Sequence, residues 1–163
     1  MEVSLAFPQV LFHEKLENFT SIKDHLIASV YKLKDSSRGR SASNRGGGWQ
    51  SEDSPLEFKQ FVEDLVQSME IFVNCKVENW WVNVNPPGAY NKQHVHPESH
   101  LSGVVWFQCH PTSGCLTFPN PFAYTQSNFI LKFPKAFRDK HKIYHTIDYD
   151  AQEGEIIVFP SDL

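Results

Sequence analysis

Two histidines with one residue between them, His94-Val95-His96, are the feature of this sequence best suited to chemistry. In an extended strand, residues i and i+2 point to the same side. Both imidazoles can therefore reach one metal ion. Neutral imidazole suits iron, zinc, copper and nickel. A bare H-x-H is common on exposed loops, so the surroundings matter. Gly88 lies six residues before His94 and supplies a turn, and Pro97 follows His96 and ends regular strand pairing, as at the mouth of a barrel. Glu98 and His100 crowd the same stretch, and His100 is the nearby candidate for a third ligand. The remaining histidines have weaker contexts. His25 is expected to face solvent on a helix, His110 precedes a proline in a turn, and His13, His141 and His145 lack ligand-like neighbours.

Strands must position such a pair, and the sequence supplies them. Glu78 to Asn85 alternates Trp80, Val82 and Val84 with Trp81, Asn83 and Asn85, and Pro86-Pro87-Gly88 ends it in a turn. Leu101 to Gln108, Cys115 to Phe118, Phe129 to Phe133, Ile143 to Tyr149 and Glu155 to Phe159 read as further strands. The N-terminal third reads as helical. Thr20 or Ser21 can cap a helix with Ile22, Leu26, Val30 and Leu33 on one face. Ser54-Pro55-Leu56-Glu57 has the pattern of a capping box, followed by an apolar face of Phe58, Phe61, Val62, Leu65, Val66 and Met69. Between the helices, Asp35 to Asp53 is rich in Ser, Gly and Arg. It is expected to be a flexible surface loop, or a lid whose Trp49, Gln50 and Ser51 close over a pocket. Two helices followed by many short strands predict one α+β, mainly β domain over residues 1–163. The helices would brace one face of a sheet folded into a sandwich or barrel.

Composition excludes several function classes. At 163 residues the chain is long enough for a proper core. Its 13 Phe, 4 Trp and 5 Tyr favour strands. A net charge of −4 argues against nucleic acid or an anionic membrane as partner, although Arg38, Arg40 and Arg45 form a local basic patch. No apolar run reaches the ~18 residues of a membrane span. The first residues do not resemble a signal peptide. Cys75, Cys109 and Cys115 are odd in number and form no C-x-x-C pair, which fits a reducing cytoplasm.

A longer series of motifs carries a family resemblance. Asn85-Pro86-Pro87-Gly88, His94-Val95-His96, Leu101-Ser102-Gly103-Val104-Val105-Trp106, Ser113-Gly114-Cys115-Leu116-Thr117-Phe118 and Gly154-Glu155-Ile156-Ile157-Val158-Phe159-Pro160-Ser161 follow in order. Together they resemble the 2-oxoglutarate/Fe(II)-dependent oxygenases, closest to an uncharacterised bacterial and phage branch of prolyl-hydroxylase type. Gly47 to Ser51 matches a Gly-Gly-Trp-Gln-Ser stretch typical of that branch. The resemblance implies a double-stranded β-helix, a jelly-roll or cupin-like barrel, holding Fe(II) and 2-oxoglutarate. It places the first metal ligand on His94. His96 stands where the family commonly has Asp or Glu, so the usual two-His, one-carboxylate triad is altered. The family's distal His follows the Phe-Pro-Ser strand, which places the expected third ligand beyond Leu163. The C-terminal end is thus expected to be incomplete, with His100, Glu98, His145 and Asp162 as substitutes otherwise.

The reaction implied is decarboxylation of 2-oxoglutarate to succinate coupled to hydroxylation of a C–H bond. Asn83 and Asn85 could hydrogen-bond the co-substrate, or be satisfied polar residues at a strand end. The substrate class stays open among small molecules and protein side chains, and a homo-oligomer is compatible with the sequence. Two other readings share the barrel. One is a cupin-like metal protein, with His100 where a cupin often has Glu. The other is an inactive, truncated scaffold.

Overall fold

The computed structural model describes residues 9–72, 74–122, 128 and 130–163. In chain order, its first elements are β1 (Phe12–Lys15), α1 (Phe19–Ser36), β2 (Asn44–Arg45), β3 (Trp49–Gln50) and α2 (Lys59–Ser68). Then come β4 (Asn83–Val84), β5 (Tyr90–Asn91), β6 (Leu101–Val105), β7 (Cys115–Pro119), α3 (Lys135–His141), β8 (Thr146–Asp150) and β9 (Glu155–Pro160). The chain is mainly β with few helices, and the described strands do not close into a barrel. The contacts divide it into two compact units. One holds the described residues of Met1–Glu17 and of Val95–Leu163, and the other is Asn18–His94.

The first unit is organised around β9. This strand lies between β1 and β6, antiparallel to both. Ile156, Ile157, Val158 and Phe159 are all buried, as a continuous apolar run must be when both faces of a strand are covered. β7 and β8 form a separate antiparallel pair, from Cys115 opposite Asp150 to Pro119 opposite Thr146. Their side chains alternate as the sequence predicts: Leu116, Phe118, Ile147 and Tyr149 turn inward, while Thr117, Asp148 and Asp150 are exposed. Phe118 packs with Ile157 and Phe159, surrounded by Leu11, Val104, Trp106, Leu116, Tyr149 and Leu163. The Phe118 ring meets Phe159 edge-on at 4.8 Å and Tyr149 edge-on at 5.9 Å, the arrangement that aromatic quadrupoles favour.

Two expectations change in this unit. β1 lies in the stretch read as helical, because its pairing partner β9 is far along the chain and leaves no local signature. The strand expected over Phe129 to Phe133 is not formed at Leu131 to Phe133, which are turn and bend; Phe129 lies outside the described residues. The Phe133 N–H donates to the Ile130 carbonyl at 3.2 Å, and the Phe133 ring stacks on Phe137 of α3 at 4.8 Å. Pro134 then opens α3, and Lys142, in the left-handed conformation, closes it.

The second unit contains both helices expected from the sequence. α1 begins at Phe19, just before the expected caps, and buries Phe19, Leu26 and Val30 on one stripe, while Ile22 is largely exposed. Asn18, left-handed at φ 56°, precedes it. The capping box at Ser54 is not formed. Pro55 is extended (φ −57°, ψ 126°), a short 3-10 turn over Leu56–Phe58 intervenes, and α2 starts only at Lys59. Ser54 is used elsewhere. Its N–H donates to the Trp80 carbonyl at 2.7 Å, and its hydroxyl donates to Asn79 Oδ1 at 2.9 Å. Of the expected apolar face of α2, Phe58 and Met69 are buried, and Phe61, Val62, Leu65 and Val66 are half-buried.

The segment from Asp35 to Asp53 is not structureless. It runs antiparallel to the stretch from Asn79 to Asn91, with Asn44 opposite Asn91, Arg45 opposite Tyr90, Trp49 opposite Val84 and Gln50 opposite Asn83. The Ser51 N–H donates to the Val82 carbonyl at 2.9 Å and continues the pairing. Trp49, Gln50 and Ser51 are buried. A tryptophan indole and a glutamine amide leave water only where partners await them. Trp49 Nε1 donates to the Ser37 carbonyl at 3.1 Å, and the Gln50 side-chain oxygen, in its satisfied orientation, accepts from Arg40 Nε and Nη2 at 3.0 Å.

Candidate metal centre

His94 is the last residue of the Asn18–His94 unit, and His96 is the second residue of the Val95–Leu163 segment. Neither lies in one of the strands β1–β9, so no strand ladder holds the pair as its spacing suggested. The two are still only one residue apart, which keeps their Cα atoms within about 7 Å in any backbone conformation. His94 is exposed and His96 half-buried.

The His94 ring has a defined tautomer. Its Nδ1 lies 2.6 Å from the Lys92 carbonyl. A carbonyl can only accept, so Nδ1 carries a hydrogen, and in the neutral ring the lone pair is then on Nε2. A backbone carbonyl on the outer nitrogen is the usual way in which a metal-ligating histidine is oriented and made more basic.

The backbone of His96 is anchored to the end of β9. Its N–H donates to the Ser161 carbonyl at 2.9 Å, and the Ser161 N–H donates to the His100 carbonyl at 3.1 Å. Both ends of the turn His96–His100 are thus fixed on one residue, and the Ser99 N–H closes the turn on the His96 carbonyl at 3.1 Å. Ser161 is almost fully buried, and its hydroxyl shares a 2.8 Å hydrogen bond with that of Ser102 on β6. Sequence reasoning quoted both serines as parts of motifs and assigned neither a role. The signal available was two small polar residues inside otherwise apolar strand motifs.

Asn83 and Asn85 differ in setting. Asn83 is exposed on β4. Asn85 belongs to a polar chain in which its Nδ2 donates to Asn91 Oδ1 at 2.9 Å and Asn91 Nδ2 donates to Ser43 Oγ at 2.9 Å. Gly48 faces this chain, and a Cβ at that position would lie 2.5 Å from Asn85 Oδ1. The Gly-rich stretch therefore lets the 44–50 strand approach Asn85 closely.

Four of the other histidines have settings of their own. His110 sits in an exposed turn with Nδ1 2.9 Å from the Thr112 hydroxyl, and His25 is exposed on α1, both as expected. His141 packs against Phe137, with ring centroids 4.5 Å apart. His100 is exposed, and the structure ties it to Ser161 through its carbonyl rather than its ring.

The 2OG-Fe(II) oxygenase family, described as "Putative 2OG-Fe(II) oxygenase", matches residues 79–163, just over half of the chain. This chain belongs to that family. The matched region takes in Asn83, Asn85, His94, His96, Ser102 and Ser161. No curated protein matches the chain.

Membership implies iron and 2-oxoglutarate, and the donors present can be tested against both. Two imidazoles, one held in the tautomer that presents Nε2, suit a divalent iron. Among the described residues, no three His, Cys, Asp or Glu side chains gather closely enough to hold a metal ion. Each imidazole is by its chemistry a donor of the kind such a set uses. The amides of Asn83 and Asn85 are neutral donors of the kind a carboxylate accepts from. None of the three cysteines forms a disulfide, and no described helix is long and apolar enough to cross a membrane.

Proposed function

We propose that this oxygenase is a non-haem Fe(II), 2-oxoglutarate-dependent hydroxylase in which His94 and His96 are metal ligands. The observation that carries the reading is the His94 ring, held through Nδ1 by the Lys92 carbonyl within the region that matches the family. Iron would supply the activation of dioxygen, with 2-oxoglutarate as reductant, and the chain's task is to bind and orient them. His94 presents Nε2, and His96 is carried on a turn pinned to Ser161. Asn83 offers an amide to the co-substrate carboxylate. Asn85 does the same with the second hydrogen of Nδ2, the first being given to Asn91. The family's double-stranded β-helix is the proposed architecture. The β1-β9-β6 sheet and the β7-β8 pair, two antiparallel pieces packed through Phe118, are compatible with it. The substrate is a small molecule or a protein side chain, and the site of action is the cytoplasm.

The test is succinate formation from 2-oxoglutarate by the purified protein with Fe(II), with no prime substrate added. We expect iron-dependent turnover that His94→Ala and His96→Ala each reduce by at least ~100-fold, since loss of even an outer-shell partner costs ~10–100-fold. Absence of any 2-oxoglutarate turnover with iron present counts against the reading. Thermal stabilisation by a divalent metal, without further gain from 2-oxoglutarate, then supports a cupin-like metal protein.

A further inference from the structure

Ser161 is buried to 3% exposure at the end of an apolar strand, where an alanine would fit the space. Burying a hydroxyl is costly unless it is hydrogen-bonded, and here the buried hydroxyl is satisfied by that of the half-buried Ser102. A matched pair of small apolar residues would serve stability about as well. The pair sits where the β6–β9 ladder ends, next to the register Leu101 opposite Pro160 and Ser102 opposite Phe159. Beyond that point no ladder remains to hold the chain. Ser161 nevertheless accepts from the His96 N–H and donates to the His100 carbonyl. The side-chain bond to Ser102 fixes the residue whose two backbone groups fix the His96 turn.

We propose that Ser161 and Ser102 are positioning residues for His96: their hydroxyl pair sets the orientation of the turn that carries this ligand. The inference rests on the reading of His96 as a metal ligand. Neither serine touches the metal, so the expected effect is on affinity and ligand geometry rather than on the presence of the imidazole. Changes at outer-shell partners of metal ligands cost ~10–100-fold in affinity, and the same range is expected here.

The test is titration of the full chain with Co(II) alone, followed by the visible absorption of the bound ion. Wild type, Ser161→Ala, Ser102→Ala, the double alanine variant and Ser102→Thr are compared. Hydrogen exchange at the His96 amide is measured on each without metal. The proposal expects Ser102→Ala and Ser161→Ala to bind Co(II) at least ~10-fold more weakly, with altered absorption and faster exchange at the His96 amide. The double variant regains thermal stability, because no hydroxyl is left unpaired, yet keeps the weak affinity. Ser102→Thr retains the hydroxyl and binds as wild type does. A double variant with wild-type affinity, spectrum and His96 exchange overturns the proposal and leaves the metal ligands in place. Wild type that takes up no Co(II) instead overturns the reading of His96 as a ligand, and this inference with it.

Discussion

Gly39→Ala is expected to be among the most damaging single changes outside the apolar core. Gly39 has φ +66°, a left-handed conformation that costs an L-residue about 1–2 kcal/mol. An added Cβ would also clash with the Gln50 carbonyl oxygen and with Trp49 Nε1. The carbonyl belongs to the backbone and accepts the Arg40 N–H at 2.9 Å, so it cannot swing away cheaply. Overpacking of this kind costs about 1–3 kcal/mol. Displacing Trp49 would also remove the bond from its indole to the Ser37 carbonyl, worth about 1 kcal/mol. The total is about 3–6 kcal/mol. Gly47→Ala is the control. Its φ is +84°, but nothing lies within 4 Å of the added Cβ, so only the conformational cost of about 1–2 kcal/mol applies. Urea unfolding of both variants measures the difference directly. At about 2–4 °C per kcal/mol for a chain of this size, Gly39→Ala should lower Tm by roughly 6–24 °C and Gly47→Ala by roughly 2–8 °C. Equal destabilisation by the two would mean that the 35–53 segment does not lie against its neighbours in solution. The packed ribbon described for it would then be wrong.

Phe118→Ala should cost about 3–5 kcal/mol, because it empties the centre of the cluster shared with Ile157 and Phe159. Hydrogen exchange across β9 should rise with it, and a loss below about 1 kcal/mol would contradict the packing of the β7–β8 pair on that strand. Asp53 has its carboxyl held below the usual carboxylate range, first by the Asn79 amide and then by Arg40. A depressed folded-state value stabilises above the unfolded value near 3.8 and is lost as pH falls through the folded value. Acid unfolding of Asp53→Asn should accordingly be less steep below about pH 4 than that of wild type, by a small amount because the carboxylate is half exposed. Identical acid profiles would remove Asp53 from the account of acid stability.

How much of this was legible in the sequence depends on the range of each interaction. β7, β8 and β9 were legible as strands, because the fit of a short run of residues to a strand is a local property. Helical spacing exposed α1 and α2 for the same reason. The two-residue strands β2, β3 and β5 carry no periodicity, and pairing between residues some forty apart defines them. Pattern also misplaced the role of Ser54. Its local context is that of a cap, but the Trp80 carbonyl and Asn79 amide compete for it and win.

The candidate site divides in the same way. The sequence by itself determined the family and the strands β6, β7, β8 and β9, since these depend on residue type and order, and it is the source of the proposal that His94 and His96 are ligands. Only the tertiary structure decided the His94 tautomer, which requires the Lys92 carbonyl at 2.6 Å, and the tethering of His96 to Ser161. It also turned Trp49, Gln50 and Ser51 from a prospective lid into buried parts of a paired ribbon. Hydrogen bonds between distant residues depend on distance and angle, and neither is encoded in spacing along the chain.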